Sequence, residues 1–313
     1  MLRISSVYDI DDITVQALAQ WNAPIWRRER RDSGFDYIFV DEMHLFNINE
    51  QHVFHYLTKS AEQKQIPICF ALDYGQAIGD RGNTNRDYIE TAFGEVERND
   101  YKTVFRCSQQ ITDFCAAISA SGALMFQNDY RDPYDIAASG FTQQEEAVCD
   151  IPRLYMYSNE EEMIESLKGH VDRFKQETQC KNYDIALISF EDTLLIPQNV
   201  EKLSSLLGKK MYVLKNRQTS SLSRSIKTDD PIILSDPYNV NGLEFKCVIL
   251  FGVDEGRLPQ NTGVSDISAN YIKYIAFNQL YLASSRAKYR LILIGNSLHG
   301  VSSCLQYALE SGK

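Results

Sequence analysis

The sequence predicts an α/β protein made of two lobes with mostly parallel sheets. Short apolar runs typical of buried parallel strands alternate with segments of helical spacing along the chain. Residues 122–150 interrupt this alternation with Gly, Asp, Pro, Ser and Gln in no clear period, which indicates a connector. We therefore expect a first lobe over residues 1–121, a connector over 122–150 and a second lobe over 151–313.

The first lobe begins with a polar segment of helical character at residues 9–33. The apolar run at 37–40 predicts a strand, helical spacing follows at 50–64, and the run at 66–72 predicts a second strand. The remaining segments of this lobe are predicted to be helical at 85–97, extended at 101–105 and helical at 108–120.

The alternation resumes after the connector with an apolar run at residues 154–157. Ser158 and Glu161 have the spacing of a capping box, so we expect an acidic helix from there to about residue 178. The remaining elements are predicted strands at 185–188, 211–214, 231–234, 247–252 and 291–294, and predicted helices at 198–207 and 268–287.

Composition excludes several classes of protein. The 313 residues are 44% hydrophobic and 11% aromatic, which is enough to build packed cores and argues against a disordered chain. A formal net charge of -10 excludes a basic protein that coats nucleic acid, although it allows a local basic groove.

No segment approaches the roughly 18 apolar residues of a membrane span, and the N-terminus lacks the pattern of a secretory signal. We expect no association with a membrane.

The seven cysteines are scattered and contain no C-x-x-C pair. This pattern disfavours a disulfide framework and a zinc site, and it suits isolated thiols in a reducing cytoplasm. The five histidines show no H-x-x-H spacing, so we assign them no metal.

Acidic and amide residues follow both predicted strands of the first lobe. Asp41 and Glu42 come directly after the first strand. In nucleotide hydrolases the first carboxylate at such a position holds Mg²⁺ and the second polarises the attacking water. Asp73 and Gln76 follow the next strand, where a glutamine can contact the γ-phosphate or the attacking water. The acidic pair alone is a weak signal, because apolar strands often end in acidic residues.

Two arginines stand at junctions between predicted helices and strands. Arg106 precedes the helix at 108–120, and Arg286 lies at the end of the helix before the last strand. Between them, Gly242 and Glu244 belong to a Gly-Leu-Glu-Phe segment that leads into the strand at 247–252. The plainer interpretation of both arginines is surface ion pairing, worth only about 0–1 kcal/mol.

Five blocks of this sequence, in order, resemble motifs II to VI of the UvrD/Rep/PcrA group of superfamily 1 helicases. The most specific matches are residues 242–245, followed by a strand and the Gly-Arg-Leu-Pro at 256–259, and residues 281–288. The resemblance covers about residues 35–296. It implies two RecA-like lobes, the first incomplete at its N-terminus, in an ATP-driven helicase or translocase that moves 3′ to 5′ on single-stranded DNA.

The resemblance also implies roles for residues of the first three blocks. Asp41 would hold Mg²⁺ through water, and Glu42 would be the catalytic base. Asp73 would belong to the nucleotide-binding block in which Gln76 senses the γ-phosphate. Arg106 would be one of two arginine fingers.

In the last two blocks, Arg286 would be the second finger, acting from the lobe opposite to Arg106. Glu244 and the backbone around Gly242 would lie beside the nucleotide ribose and couple it to DNA.

The sequence departs from the motifs of this family at several positions. His44 and Leu45 replace the last two polar residues of motif II, and Asn241 replaces the lysine before Gly242. The aromatic residues of motif III are missing after Ile78. Stacking on such residues is worth about 1–3 kcal/mol per base, so we expect this block to lack that contribution to DNA binding.

The sequence contains no phosphate-binding loop of the form G-x-x-x-x-G-K-[ST]. The chain begins about 35 residues before the strand that ends in Asp41 and Glu42, so we expect an upstream segment or a partner subunit to supply the loop, and the chain alone to be inactive. The alternative is a catalytically inactive helicase-like subunit that docks onto a partner protein. The missing loop and the acidic charge favour this alternative, whereas the retained catalytic residue types oppose it.

Overall fold

The computed structural model describes residues 10–21, 23–59, 67–72, 96–97, 99, 101, 103–126, 137–214, 224–261 and 266–310. The chain divides into two compact units, Met1–Asp100 and Tyr101–Lys313. Both units contain helices and parallel strands, which confirms the predicted α/β class. No helix in the described part of the chain is long and apolar enough to cross a membrane.

The first unit contains a parallel pair of strands, β1 (Ile38–Val40) and β2 (Ile68–Phe70). Both lie within the predicted apolar runs, and their register pairs Phe39 with Cys69. The described helices of this unit are α1 (Ile10–Trp21), α2 (Pro24–Ser33) and α3 (Ile48–Leu57).

Local sequence explains where these helices begin. The single helical segment expected at 9–33 is two helices, because Pro24 favours the first turn of a new helix, where its missing N–H costs nothing. Helix α3 begins at Asn47, whose side chain accepts from the Glu50 N–H, while the Glu50 carboxylate accepts from the Asn47 N–H.

The second unit contains a six-stranded sheet in which all neighbours are parallel, in the order β5-β10-β9-β6-β8-β7. Its strands are β5 (Arg153–Tyr157), β6 (Ile185–Ser189), β7 (Met211–Val213), β8 (Ile232–Ser235), β9 (Phe245–Phe251) and β10 (Ala287–Asn296). A separate parallel pair, β3 (Thr103–Val104) with β4 (Ala138–Ser139), precedes it.

The described helices of the second unit are α4 (Gln109–Phe126), α5 (Gln143–Glu146), α6 (Glu160–Thr178), α7 (Pro197–Leu207), α8 (Arg224–Asp229), α9 (Asp266–Ser284) and α10 (Gln306–Glu310). Short 3₁₀ turns lie at Asn182–Asp184, Asp192–Leu195 and Ser303–Leu305.

The central strand β9 is buried on both faces. Leu250 points into a core that includes Phe277 of α9, whereas Ile249 points into a second core that includes Phe174 of α6. A strand covered on both sides must be apolar at every position, which is why residues 247–252 read as an uninterrupted apolar run.

The structure corrects the predicted boundary after residue 121. The chain divides between Asp100 and Tyr101, and α4 belongs to the second unit. The reason is packing, because Ile111, Phe114 and Ile118 of α4 lie in the same core as the six-stranded sheet. Arg106 is therefore in the same unit as Arg286, which contradicts the expectation that they act from opposite lobes.

The predicted connector at 122–150 contains regular structure in its described part. Helix α4 continues to Phe126, β4 pairs with β3, and α5 begins with a capping box between Thr142 and Glu145. This segment was predicted as a connector because such short elements leave no periodic pattern in the sequence.

The cap of α6 is one residue later than predicted. Asn159 accepts from the Glu162 N–H at 2.9 Å, and the Ser158 N–H donates to the Glu162 carboxylate at 3.1 Å. Both Ser158 and Asn159 are good cap residues, so the sequence did not distinguish the two registers.

Candidate functional site

Two distant segments meet beside the amino end of β10. The Ser108 N–H, ahead of α4, donates to the Lys288 carbonyl at 3.0 Å. The neighbouring Cys107 thiol donates to the Ser285 carbonyl at 3.5 Å. These contacts fix Arg106 next to the turn that joins α9 to β10.

A third segment reaches the same place just before β9. Gly242 has φ +78°, a left-handed conformation that glycine adopts at no steric cost. The following chain is held by a bond from the Phe245 N–H to the Arg286 carbonyl at 2.9 Å. Apart from its two chain neighbours, no described residue has a heavy atom within 4 Å of where a Cβ of Gly242 would be, so this glycine serves the turn and not a close packing contact.

Glu244 joins the three segments through its side chain. Arg106 Nε donates to Glu244 Oε1 at 2.6 Å, and Lys288 Nζ lies 2.8 Å from Glu244 Oε2. The three side chains are about one-third exposed, at 30%, 35% and 35% for Arg106, Glu244 and Lys288. We call Arg106, Glu244, Arg286 and Lys288 the amino-edge cluster.

Arg286 is fully buried in this cluster. Its Nε donates to the Leu282 carbonyl at 3.1 Å, and its terminal nitrogens donate to the Leu243 carbonyl at 3.4 Å and to Ser285 Oγ at 2.9 Å. The guanidinium thus ties the end of α9 to the segment before β9.

The cluster shifts the titration of two groups. Burial raises the pKa of Glu244, but the hydrogen bonds from Lys288 and Arg106 and their charges outweigh burial, so this pKa lies below its ordinary value. Burial raises the pKa of the Cys107 thiol to about 11 despite the nearby charge of Arg106. Cys107 is therefore a packed neutral thiol and not a nucleophile.

The acidic pair of the first unit lies at the carboxyl end of β1, as the sequence predicts. Asp41 is exposed, and its Oδ1 accepts from the Glu42 N–H at 3.0 Å. Glu42 has φ +54° and ψ +44°, an uncommon conformation for a residue with a side chain. Its Oε2 lies 3.1 Å from Nε2 of the fully buried His44, so His44 helps to orient Glu42.

Asp73 and Gln76 lie outside the described residues. Their proposed contacts with nucleotide stay predictions. Within the described part of the chain, no three or more His, Cys, Asp or Glu side chains gather as metal ligands, so the assignment of Mg²⁺ to Asp41 rests on sequence alone.

Two features of the second unit were not predicted. Lys288 is the last residue of the block at 281–288 and was assigned no role, although its position two residues after Arg286 was a usable signal. The second feature is a cluster at the opposite, carboxyl edge of the sheet.

This carboxyl-edge cluster consists of Glu160, Glu191, Asp254, Arg257 and His299. Arg257 contacts Glu191, Asp254 and Glu160 at 2.5, 3.2 and 3.2 Å. The fully buried Asp254 also accepts from the Asn296 N–H at 2.9 Å and lies 2.7 Å from His299 Nδ1. The carboxyl-edge cluster as a whole links the loops that follow four neighbouring strands, β5, β6, β9 and β10.

Comparisons with known proteins give little beyond this geometry. No family model matches the chain, and no curated protein matches it. Among solved structures, a crystal structure of the C-terminal domain of a possible DNA helicase from Lactobacillus plantarum WCFS1 is similar at 18% identity and a TM-score of 0.40. The match covers 64% of this chain and 91% of that one.

Proposed function

We propose that this chain is the C-terminal part of an ATP-dependent DNA helicase or translocase of UvrD-like type, acting on single-stranded DNA. One observation carries the proposal. Arg106 and Glu244 are 138 residues apart in sequence and belong to different motif blocks, yet they form a 2.6 Å ion pair beside Lys288. Three blocks that resemble motifs IV, V and VI thus supply one cluster with three cations and one carboxylate.

The donor chemistry of this cluster fits the phosphates of ATP. Guanidinium and ammonium groups form short charge-assisted bonds with phosphate oxygens, and cations placed on a transferring phosphoryl group stabilise its transition state. In this proposal Arg106 and Arg286 serve the γ-phosphate, while the exposed turn at Gly242 offers backbone next to the nucleotide. Arg286 would have to exchange its present carbonyl partners for phosphate.

Asp41 and Glu42 are the hydrolytic groups in this proposal. The exposed carboxylate of Asp41 suits a hydrated Mg²⁺, which prefers one or two carboxylates and several waters. Glu42, oriented by His44, would accept a proton from the attacking water. Gln76 would report the γ-phosphate, and Asp73 would support the same block.

A phosphate-binding loop is needed from an upstream segment or a partner subunit. Such a loop provides several backbone N–H donors and one lysine to the β- and γ-phosphates. Losing charge-assisted bonds worth about 1.5–3 kcal/mol each weakens ATP binding by orders of magnitude. The seven cysteines form no disulfide in the structure, which suits a reducing cytoplasm, and that is where we place the protein.

The test is an ATPase assay of residues 1–313 alone and joined to the segment or subunit that carries the loop, each with and without single-stranded DNA. We expect turnover only in the complete assembly, and a loss of at least about a hundredfold in Glu42→Gln. Lys210→Gln is the matched control, because Lys210 forms an exposed ion pair with Asp229. Wild-type turnover in Glu42→Gln would overturn the proposal.

A second candidate is a non-catalytic helicase-like subunit that docks onto a partner. The specific observation in its favour is that Arg286 is fully buried and donates to groups of its own unit. In this case Glu42→Gln and Arg106→Ala would both leave the ATPase rate of the assembly unchanged. The same set of variants therefore distinguishes the two functions.

A further inference from the structure

The carboxylate of Glu244 is shared between two cations. Each of its oxygens takes one partner, Arg106 Nε at 2.6 Å and Lys288 Nζ at 2.8 Å. The two cationic groups are therefore held around a single small anionic group, and all three side chains are about one-third exposed. A ligand from solvent can reach the place where the carboxylate lies.

Several charged groups surround this place. Among the described residues, the cations Arg106, Arg286 and Lys288 and the carboxylate of Glu244 all act on the neighbouring Cys107 thiol. Two further acids of α5 lie close by, but their carboxylates accept from backbone N–H groups. Of the described groups, Glu244 is the one carboxylate paired with Arg106 and Lys288, so an anion with more than one negative charge can compete for both cations.

A phosphate group can replace a carboxylate between these two cations. Both groups present a pair of oxygens, and arginine binds either of them through short charge-assisted bonds. A phosphate within a polyphosphate carries more charge, so it competes well with one carboxylate. Glu244 then becomes available to other partners.

We propose that Lys288 binds the polyphosphate of a nucleotide together with Arg106, and that Glu244 occupies this phosphate position as a competing carboxylate until the nucleotide arrives. The proposal rests on the proposed function, since it names a further ligand-binding residue of the same site. It assigns Glu244 two states, one paired with both cations and one released from them.

The test is calorimetric titration of residues 1–313, joined to the segment or subunit that carries the phosphate-binding loop, with inorganic pyrophosphate at low salt. This probe has no ribose and no base, so it reports the phosphate position alone. We expect Lys288→Gln to weaken pyrophosphate binding by about tenfold or more, as expected for one charge-assisted bond. We expect Glu244→Gln to strengthen binding by at least about threefold, because the competing charge is gone.

Matched controls are Lys210→Gln and Asp229→Asn, which remove the same charges from an exposed ion pair. Lys210 directly precedes β7, which is the outermost strand on one side of the sheet. Both should bind pyrophosphate as the wild type does. Lys288→Arg should restore most of the affinity, and circular dichroism should show the same fold in every variant.

Three results with pyrophosphate would overturn the inference. These are no saturable pyrophosphate binding by the wild type, unchanged binding in Lys288→Gln, or weaker binding in Glu244→Gln. A parallel titration uses a single-stranded (dT)12 oligonucleotide. If Lys288→Gln weakened binding of this oligonucleotide but not of pyrophosphate, the ligand of Lys288 would be DNA and the inference would be overturned. None of these results bears on the ATPase test of Glu42, so the two proposals fail independently.

Discussion

The two edges of the six-stranded sheet carry clusters of opposite charge balance. At the amino edge, the cations Arg106, Arg286 and Lys288 lie with one carboxylate, Glu244. At the carboxyl edge, three carboxylates surround the single guanidinium of Arg257.

The clusters also differ in burial. At the carboxyl edge the central pair, Arg257 and Asp254, is 13% and 0% exposed, and the exposed members Glu160 and His299 lie around it. At the amino edge Arg286 is fully buried, but the paired side chains of Arg106, Glu244 and Lys288 are each about one-third exposed. Buried ion pairs are costly to break, while exposed pairs contribute little to stability. The comparison indicates that the buried pair of Arg257 and Asp254 stabilises the fold, whereas the side chains of Arg106, Glu244 and Lys288 are accessible to solvent.

The largest effect on stability is expected at the carboxyl edge. Asp254→Ala removes the buried acceptor of Arg257 and of the Asn296 N–H. We therefore expect the free energy of unfolding to fall by about 3–5 kcal/mol. Chemical denaturation followed by circular dichroism measures this change. Asp229→Ala is the exposed control, and equal stability of the two variants would contradict the structural role of Asp254.

A smaller loss is expected for Arg286→Ala at the amino edge. The substitution leaves the Leu243 and Leu282 carbonyls without this donor and removes a fully buried side chain, so we expect a loss of about 2–3 kcal/mol. Hydrogen exchange of β9 and β10 peptides would localise the effect. Equal stability of Arg286→Ala and the wild type would contradict a stabilising role for the buried Arg286 side chain.

Arg106→Ala should change stability by less than about 1 kcal/mol, because its pair with Glu244 is partly exposed. The same variant should lose at least about tenfold in pyrophosphate affinity. Denaturation and calorimetry on the same preparation separate the two effects. A large loss of stability would place Arg106 with the structural cluster instead.

The smallest effect concerns pH. The pKa of Glu244 is lower than its ordinary value of 4.5 in the folded state, so its pairing stabilises the fold at neutral pH. This contribution is lost as the pH falls from 4.5 through the lower folded pKa. The difference in unfolding free energy between wild type and Glu244→Gln should therefore shrink between pH 7 and pH 3. A difference that stays constant with pH would show that the charge of Glu244 makes no contribution.

Much of the fold could be predicted from local sequence. Strands β1, β2 and β9 lie in or overlap the apolar runs expected for them. For β9 the reason is burial on both faces, which leaves an uninterrupted apolar segment, whereas β1 and β2 leave Phe39 and Cys69 exposed. Element ends were less predictable. Ser158 and Asn159 are both suitable N-cap residues for α6, so the residue types alone do not show which of them caps the helix. The choice depends on contacts of the folded chain.

The candidate site was predictable as a set of residues but not as an arrangement. Arg106, Glu244 and Arg286 were selected from their motifs, whereas their sharing of one unit was not. The unit to which Arg106 belongs depends on the core into which the apolar face of α4 packs. The hydrophobic pattern of an amphipathic helix shows which face is buried, but it does not show which of two neighbouring cores buries that face.

The sequence by itself determined the α/β class, the positions of the principal strands and the residue types available for phosphate chemistry. These follow from hydrophobic periodicity and from local motifs, both of which are short-range properties of the chain. Only the tertiary structure decided that Arg106 and Lys288 share the Glu244 carboxylate and that Arg257 lies among three carboxylates. Charge pairing between residues so far apart in the chain depends on the packing of whole elements, and no local pattern records it.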